Sequence, residues 1–173
     1  MSDNYSLIIK NGSCYINGKL IKTDLGLSGK KIKKIGKIEL NSSKVFDATN
    51  KVILPGIIDT QVHFREPGSV DIEDLESGSK SAVLGGITSV FEMPNTNPPT
   101  SNQTEFNKKL SLAKNRMFSN YAFYFGATPQ NMKDLQKVDK LEGCCGVKLF
   151  AGSSTGNLLV KDEKDIEKVI SNS

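Results

Sequence analysis

Asp59, Gln61 and His63 stand two residues apart in the segment Ile57-Ile-Asp-Thr-Gln-Val-His63. On a β-strand all three project from one face, and Ile58, Thr60 and Val62 from the other. A file of polar groups must meet water, a ligand or a metal, because buried polar groups need partners. Two readings stand open: a half-exposed edge strand, or the wall of a site. Lys148 is a second candidate, set in the apolar run Gly-Val-Lys-Leu-Phe150. Lysine is almost never fully buried without a partner. It either snorkels from a strand end to water or is held there for its amine. Arg65, next to Glu66, can form a surface ion pair, and Asn95 in Met-Pro-Asn-Thr-Asn-Pro-Pro99 has the chemistry of a turn.

His63 is the only histidine among 173 residues, so any imidazole chemistry of this chain uses it and a multi-histidine metal site cannot be self-contained. Cys14, Cys144 and Cys145 give an odd count and no CxxC spacing, which points to small buried thiols. Hydrophobic residues make up 37% and charged residues 24%, a balance that excludes general disorder. The net charge of +4 comes from scattered lysines without interleaved aromatics, so nucleic-acid binding is not expected. The runs NKKLSLAK and KDEKDIEKV read as solvated helix faces of mixed sign. No apolar run reaches membrane-spanning length and the N-terminus lacks a signal-peptide pattern, so a cytoplasmic protein is expected.

The elements that must position these residues follow a change of rhythm. Residues 5–54 read as short strands punctuated by Gly and Asn. After Pro55-Gly56, strands alternate with helices. Strands are expected at 57–63, 87–93, 121–125 and 146–150. Helices are expected from Asp71 to Leu84, from a Thr100 cap with Gln103 in its capping box, from a Thr128 cap, and over 161–170. Phe106, Leu110, Ala113 and Met117 mark the apolar face of the second helix. Four βα units fit either an open doubly wound sheet or half of an eight-stranded barrel. Both place their sites at strand C-terminal ends.

The segment Pro55 to Gly68, with Arg65-Glu-Pro-Gly68, and the segment Gly85-Gly-Ile-Thr-Ser-Val-Phe-Glu-Met-Pro-Asn-Thr-Asn-Pro-Pro99 occur in order and at suitable spacing. Together they resemble the dihydroorotases, the cyclic amidase branch of the amidohydrolase superfamily, over residues 5–160. The resemblance implies an α/β fold. It divides the chain into a small, incomplete β-sandwich domain at 1–54 and the N-terminal half of a (β/α)8 TIM barrel at 55–173. It implies zinc-dependent, reversible closure of N-carbamoyl-L-aspartate to L-dihydroorotate in pyrimidine synthesis, with one or two zinc ions. Arg65 and Asn95 would bind the substrate carboxylate. His63 and Lys148, the latter carboxylated, would hold metal. Gln61 stands where the family has its first strand histidine, and its neutral amide is a weaker metal ligand than imidazole. Two further histidines and the general-base aspartate are expected beyond residue 173, so this chain alone is expected to be inactive. Two readings compete with that activity: a silent scaffold for aspartate transcarbamoylase, and another cyclic amidase such as an allantoinase or hydantoinase. A half barrel with two open strand edges is also expected to be unstable or to oligomerise.

Overall fold

A computed structural model of the chain describes residues 4–39, 44–154 and 157–172. It divides into two compact units, Met1–Pro55 and Gly56–Ser173. In the first, β1 (Leu7–Ile16) and β2 (Lys19–Ser28) form an antiparallel hairpin, and β3 (Lys31–Ile35) pairs with β2. Asn17 and Gly18 both take positive φ, 48° and 80°, as the tight turn of a twisted hairpin requires. β4 (Val45–Asp47) and β5 (Val52–Ile53) run parallel to β1. Tyr5, Ile8 and Ile38 form a small buried cluster of this unit.

The second unit holds four parallel strands: β6 (Ile57–Val62), β7 (Ile87–Glu92), β8 (Asn120–Gly126) and β9 (Cys144–Lys148). Their spatial order is their chain order. An open doubly wound sheet reverses direction at a switch point, whereas a barrel adds each strand beside the last. The sheet is therefore a barrel segment, with β6 and β9 at its edges. Between the strands lie α1 (Leu75–Leu84), α2 (Gln103–Ala113) and the short α3 (Met132–Leu135), and α4 (Glu163–Ser171) follows β9. Phe64, Leu75, Val90, Phe106, Phe123 and Phe125 form the heart of the core, with Leu110 and Met117 packed against it. Strand alternation puts Val90 and Glu92 on this face of β7. Phe91 points the other way and meets Tyr124 edge-on, with centroids 6.4 Å apart.

The helices start later than the sequence suggests. Asp74, not Asp71, caps α1: its carboxylate accepts the Ser77 amide at 2.7 Å in a capping box. Residues before it form turns, with the Ile72 amide bonded to the Ser69 carbonyl. Asn102, not Thr100, caps α2 by accepting the Glu105 amide. Thr100 is buried in the preceding loop, where its amide donates to the Pro94 carbonyl at 2.9 Å. Asn131 replaces Thr128 before α3, and its side chain accepts the Thr128 amide.

α1 approaches the sheet closely at Gly78. A β-carbon there would lie 2.4 Å from the Phe64 ring. Gly78→Ala gains helix propensity of about 0.5–1 kcal/mol, against an overpacking cost of about 1–3 kcal/mol. The expected result is a net loss of stability in urea denaturation, where a freely exposed helix position would gain.

Candidate functional site

The strand carrying Asp59, Gln61 and His63 does not alternate evenly. Its register against β7 is irregular between Asp59 and Val62, so that Asp59 stands beside Val90 and Val62 beside Glu92. Asp59 therefore shares the face of Val62, which packs on the helix-side core, and the single file expected of the three polar residues is broken. Asp59 turns back on its own strand and accepts the Gln61 amide at 2.9 Å. Gln61 itself is exposed. His63, just past the end of β6, is half-buried. Its ring shares a hydrogen bond with the Asn95 side chain, which favours the charged imidazole. Burial and the positive charge of Arg65 oppose that more strongly, with Lys148 and Lys109 adding to them, so the His63 pKa falls below its ordinary value. A neutral imidazole is the form that ligates a metal.

These interactions bring together residues from three strand ends: His63 and Arg65 after β6, Asn95 after β7, and Lys148 at the end of β9. Arg65 and Asn95 line one open cleft of about 630 Å³, with Ser69, Thr96, Asn97 and Asn157. The loops around it are tied together. The Met93 amide donates to the Val62 carbonyl and the Asn97 amide to the Pro67 carbonyl, both at 3.0 Å. Lys148 is half-buried, and its ammonium lies 5.1 Å from the centroid of the Phe150 ring. Of the loop Ser153–Gly156, Thr155 and Gly156 fall outside the described residues.

The donor set is partial. Among the described residues no three His, Cys, Asp or Glu side chains gather to hold a metal. A neutral His63 imidazole is one of the ligand types zinc takes, whereas Lys148 as an ammonium is a cation and would have to be carboxylated to serve; the two do not make a closed four-coordinate site. Gln61 is not drawn to His63 by any shared hydrogen bond among the described residues.

Two buried carboxylates near the site, Glu66 and Glu92, take partners distant in sequence. Glu66 does not pair with its neighbour Arg65. It accepts Arg116 at two points, Nη1 to Oε1 at 2.8 Å and Nη2 to Oε2 at 3.2 Å. Glu92, at the end of β7, is buried and ion-paired with Lys109 of α2. Lys109 lies in a run expected to be solvated, yet it is fully buried and also donates to the Met93 carbonyl at 3.1 Å. Burial pushes the Glu92 carboxyl up to about 7 and pushes the Lys109 ammonium down, each against the pull of its partner. The available signal was spacing: Lys109 lies three residues after Phe106 and four before Ala113, on the flank of the apolar stripe.

Comparison with known proteins agrees with this architecture. The family model described as dihydro-orotase-like matches residues 50–131. A dihydroorotase of Methanosarcina mazei is 37% identical over 164 residues, covering 94% of this chain and 36% of that protein. One from Lactobacillus gasseri is 46% identical over 103 residues, covering 60% of this chain and 24% of its own length. Among solved structures, an L-hydantoinase (dihydropyrimidinase) from Arthrobacter aurescens superposes with a TM-score of 0.86 at 26% identity, over 95% of this chain and 37% of that one. This chain thus spans about a third of the length of the relatives it matches most fully. No helix among its described residues is long and apolar enough to cross a membrane. Motif, sheet order and relatives converge: the chain belongs to the dihydroorotase-like family, in the cyclic amidase branch of the amidohydrolases.

Proposed function

We propose that this chain is part of a cytoplasmic, zinc-dependent dihydroorotase that interconverts N-carbamoyl-L-aspartate and L-dihydroorotate. The observation that carries the reading is the convergence of Arg65, Asn95, His63 and Lys148 at the C-terminal ends of β6, β7 and β9. Dihydroorotate bears a carboxylate, and a guanidinium fork matches a carboxylate at two points. Arg65 holds that group in the cleft and Asn95 supplies a neutral donor beside it. Asn95 also orients the His63 ring. His63 and Lys148, the latter as its carbamate, would hold zinc together with further donors. Bound zinc lowers the pKa of water and polarises the ring carbonyl.

The hydantoinase-like structures share the fold but do not favour a neutral substrate here. An arginine facing the cleft suits an acidic ring. Gln61 favours one other reading, a silent chain that scaffolds aspartate transcarbamoylase, because glutamine is a poorer zinc ligand than histidine. The full-length protein decides between them. The expected result is stoichiometric zinc, formation of dihydroorotate from carbamoyl aspartate, and loss of turnover on chelation with recovery on zinc addition. Metal-free protein without turnover, bound to aspartate transcarbamoylase, establishes the scaffold instead.

A further inference from the structure

Both chain neighbours of Arg65 are tied to α2 or to the turn after it. On one side, Glu66 is 6% exposed and is gripped by Arg116 at two points. Its Oε2 also accepts the Leu75 amide at 2.9 Å, at the start of α1. On the other side, the Phe64 amide is directed at the buried Glu92 carboxylate, which pairs with Lys109. Arg65 itself has φ of 62°. A residue with a β-carbon keeps this left-handed conformation only where its surroundings over-determine it. Here the surroundings are two ion pairs, one on each side.

We infer that Glu66–Arg116 and Glu92–Lys109 form a two-sided clamp that aims the Arg65 guanidinium into the cleft and so sets the preference for an anionic ring. Glu66, Arg116, Glu92 and Lys109 are positioning residues that act through Arg65. The inference rests on the proposed role of Arg65 in holding the substrate carboxylate. The clamp also accounts for a design the substrate does not demand. Burying two carboxylates next to a cation meant for a third would draw that cation inward, unless each carboxylate had a cation of its own. Arg116 and Lys109 supply those cations and leave Arg65 free to face the cleft.

The test is a set of steady-state assays on the zinc-loaded, full-length protein. Arg116→Lys keeps the charge and removes the fork. It is expected to raise KM for dihydroorotate about tenfold with kcat nearly unchanged, less than the roughly 100-fold cost of a full ångström's misplacement. Glu66→Gln, which keeps the shape and the Leu75 bond, is expected to do the same and serves if Arg116→Lys does not fold. Arg65→Ala is expected to raise KM further. In an Arg65→Ala background, Arg116→Lys is expected to add nothing, because its effect passes through Arg65. Effects that multiply in the double variant overturn the clamp. So does a wild-type KM in both Arg116→Lys and Glu66→Gln alongside a raised KM in Arg65→Ala. A wild-type KM in Arg65→Ala overturns the carboxylate role itself, and the clamp with it.

Discussion

Lys109→Met is expected to destabilise the full-length protein by about 3–5 kcal/mol at pH 8, because it strands a buried carboxylate. Glu92 is 1% exposed and Lys109 is 0% exposed. Neither can turn to water when its partner is removed. The loss should depend steeply on pH. Even when paired, Glu92 titrates at about 7 against an ordinary value of 4.5, because burial disfavours its charge. Without Lys109 its pKa rises further, resisted by the Phe64 amide and the charge of Arg65. The folded state then holds a proton that the unfolded chain releases. Stability is full below the unfolded value and falls as pH rises toward the folded one, by about 1.4 kcal/mol per unit. Urea midpoints should therefore show a small defect for Lys109→Met near pH 5 and a large one at pH 8. Glu92→Gln leaves the lysine buried, with Glu66 as its remaining charged influence. A lysine depressed in the folded state gives the opposite slope, with stability lost as pH falls. Replacing both with apolar residues should be close to neutral and nearly flat with pH. Equal, pH-independent defects in the two single variants would falsify the account of a desolvated, mutually dependent pair.

That pair also shows where the sequence stops being legible. The order of strands and helices could be read from periodicity, because βα alternation is written in apolar spacing and in Gly stops such as Gly85-Gly86. Choosing between an open sheet and a barrel could not, since both use the same units; the neighbour order of β6 to β9 decides it. Helix starts are not legible where a plausible cap has another partner, as the Thr100 hydroxyl has in Thr96. The strand-end positions of His63, Arg65, Asn95 and Lys148 were legible because they are set by local periodicity. Glu66 and Glu92 were not. Their cations lie 50 and 17 positions away, at Arg116 and Lys109, and no local rule pairs residues across that distance. A lysine in a charged run reads as solvated until the fold supplies a carboxylate behind the sheet.

Lys148 offers the other large effect, and it separates two uses of one side chain. Its ammonium lies over the Phe150 ring, a contact that serves strand-end packing alone and is worth about 0.5–1 kcal/mol at a partly exposed site. In the proposed function its amine instead adds carbon dioxide, releasing a proton and forming a carbamate that holds zinc with His63. Lys148→Ala removes both uses, so it cannot tell them apart. Lys148→Arg can. Arginine keeps a cation and stacks on aromatic faces at least as well as lysine, but it stays protonated and forms no carbamate. The expected result is that both variants of the full-length protein fold, bind less zinc and lose more than about 100-fold in turnover, since even outer-shell changes at metal sites cost 10–100-fold. Labelled bicarbonate should leave a carbamate carbon signal in the wild type that is missing from both. If Lys148→Arg keeps its zinc and its turnover, the lysine serves the strand end through Phe150, and the second donor from this chain has to be sought elsewhere, with Gln61 the first residue to replace.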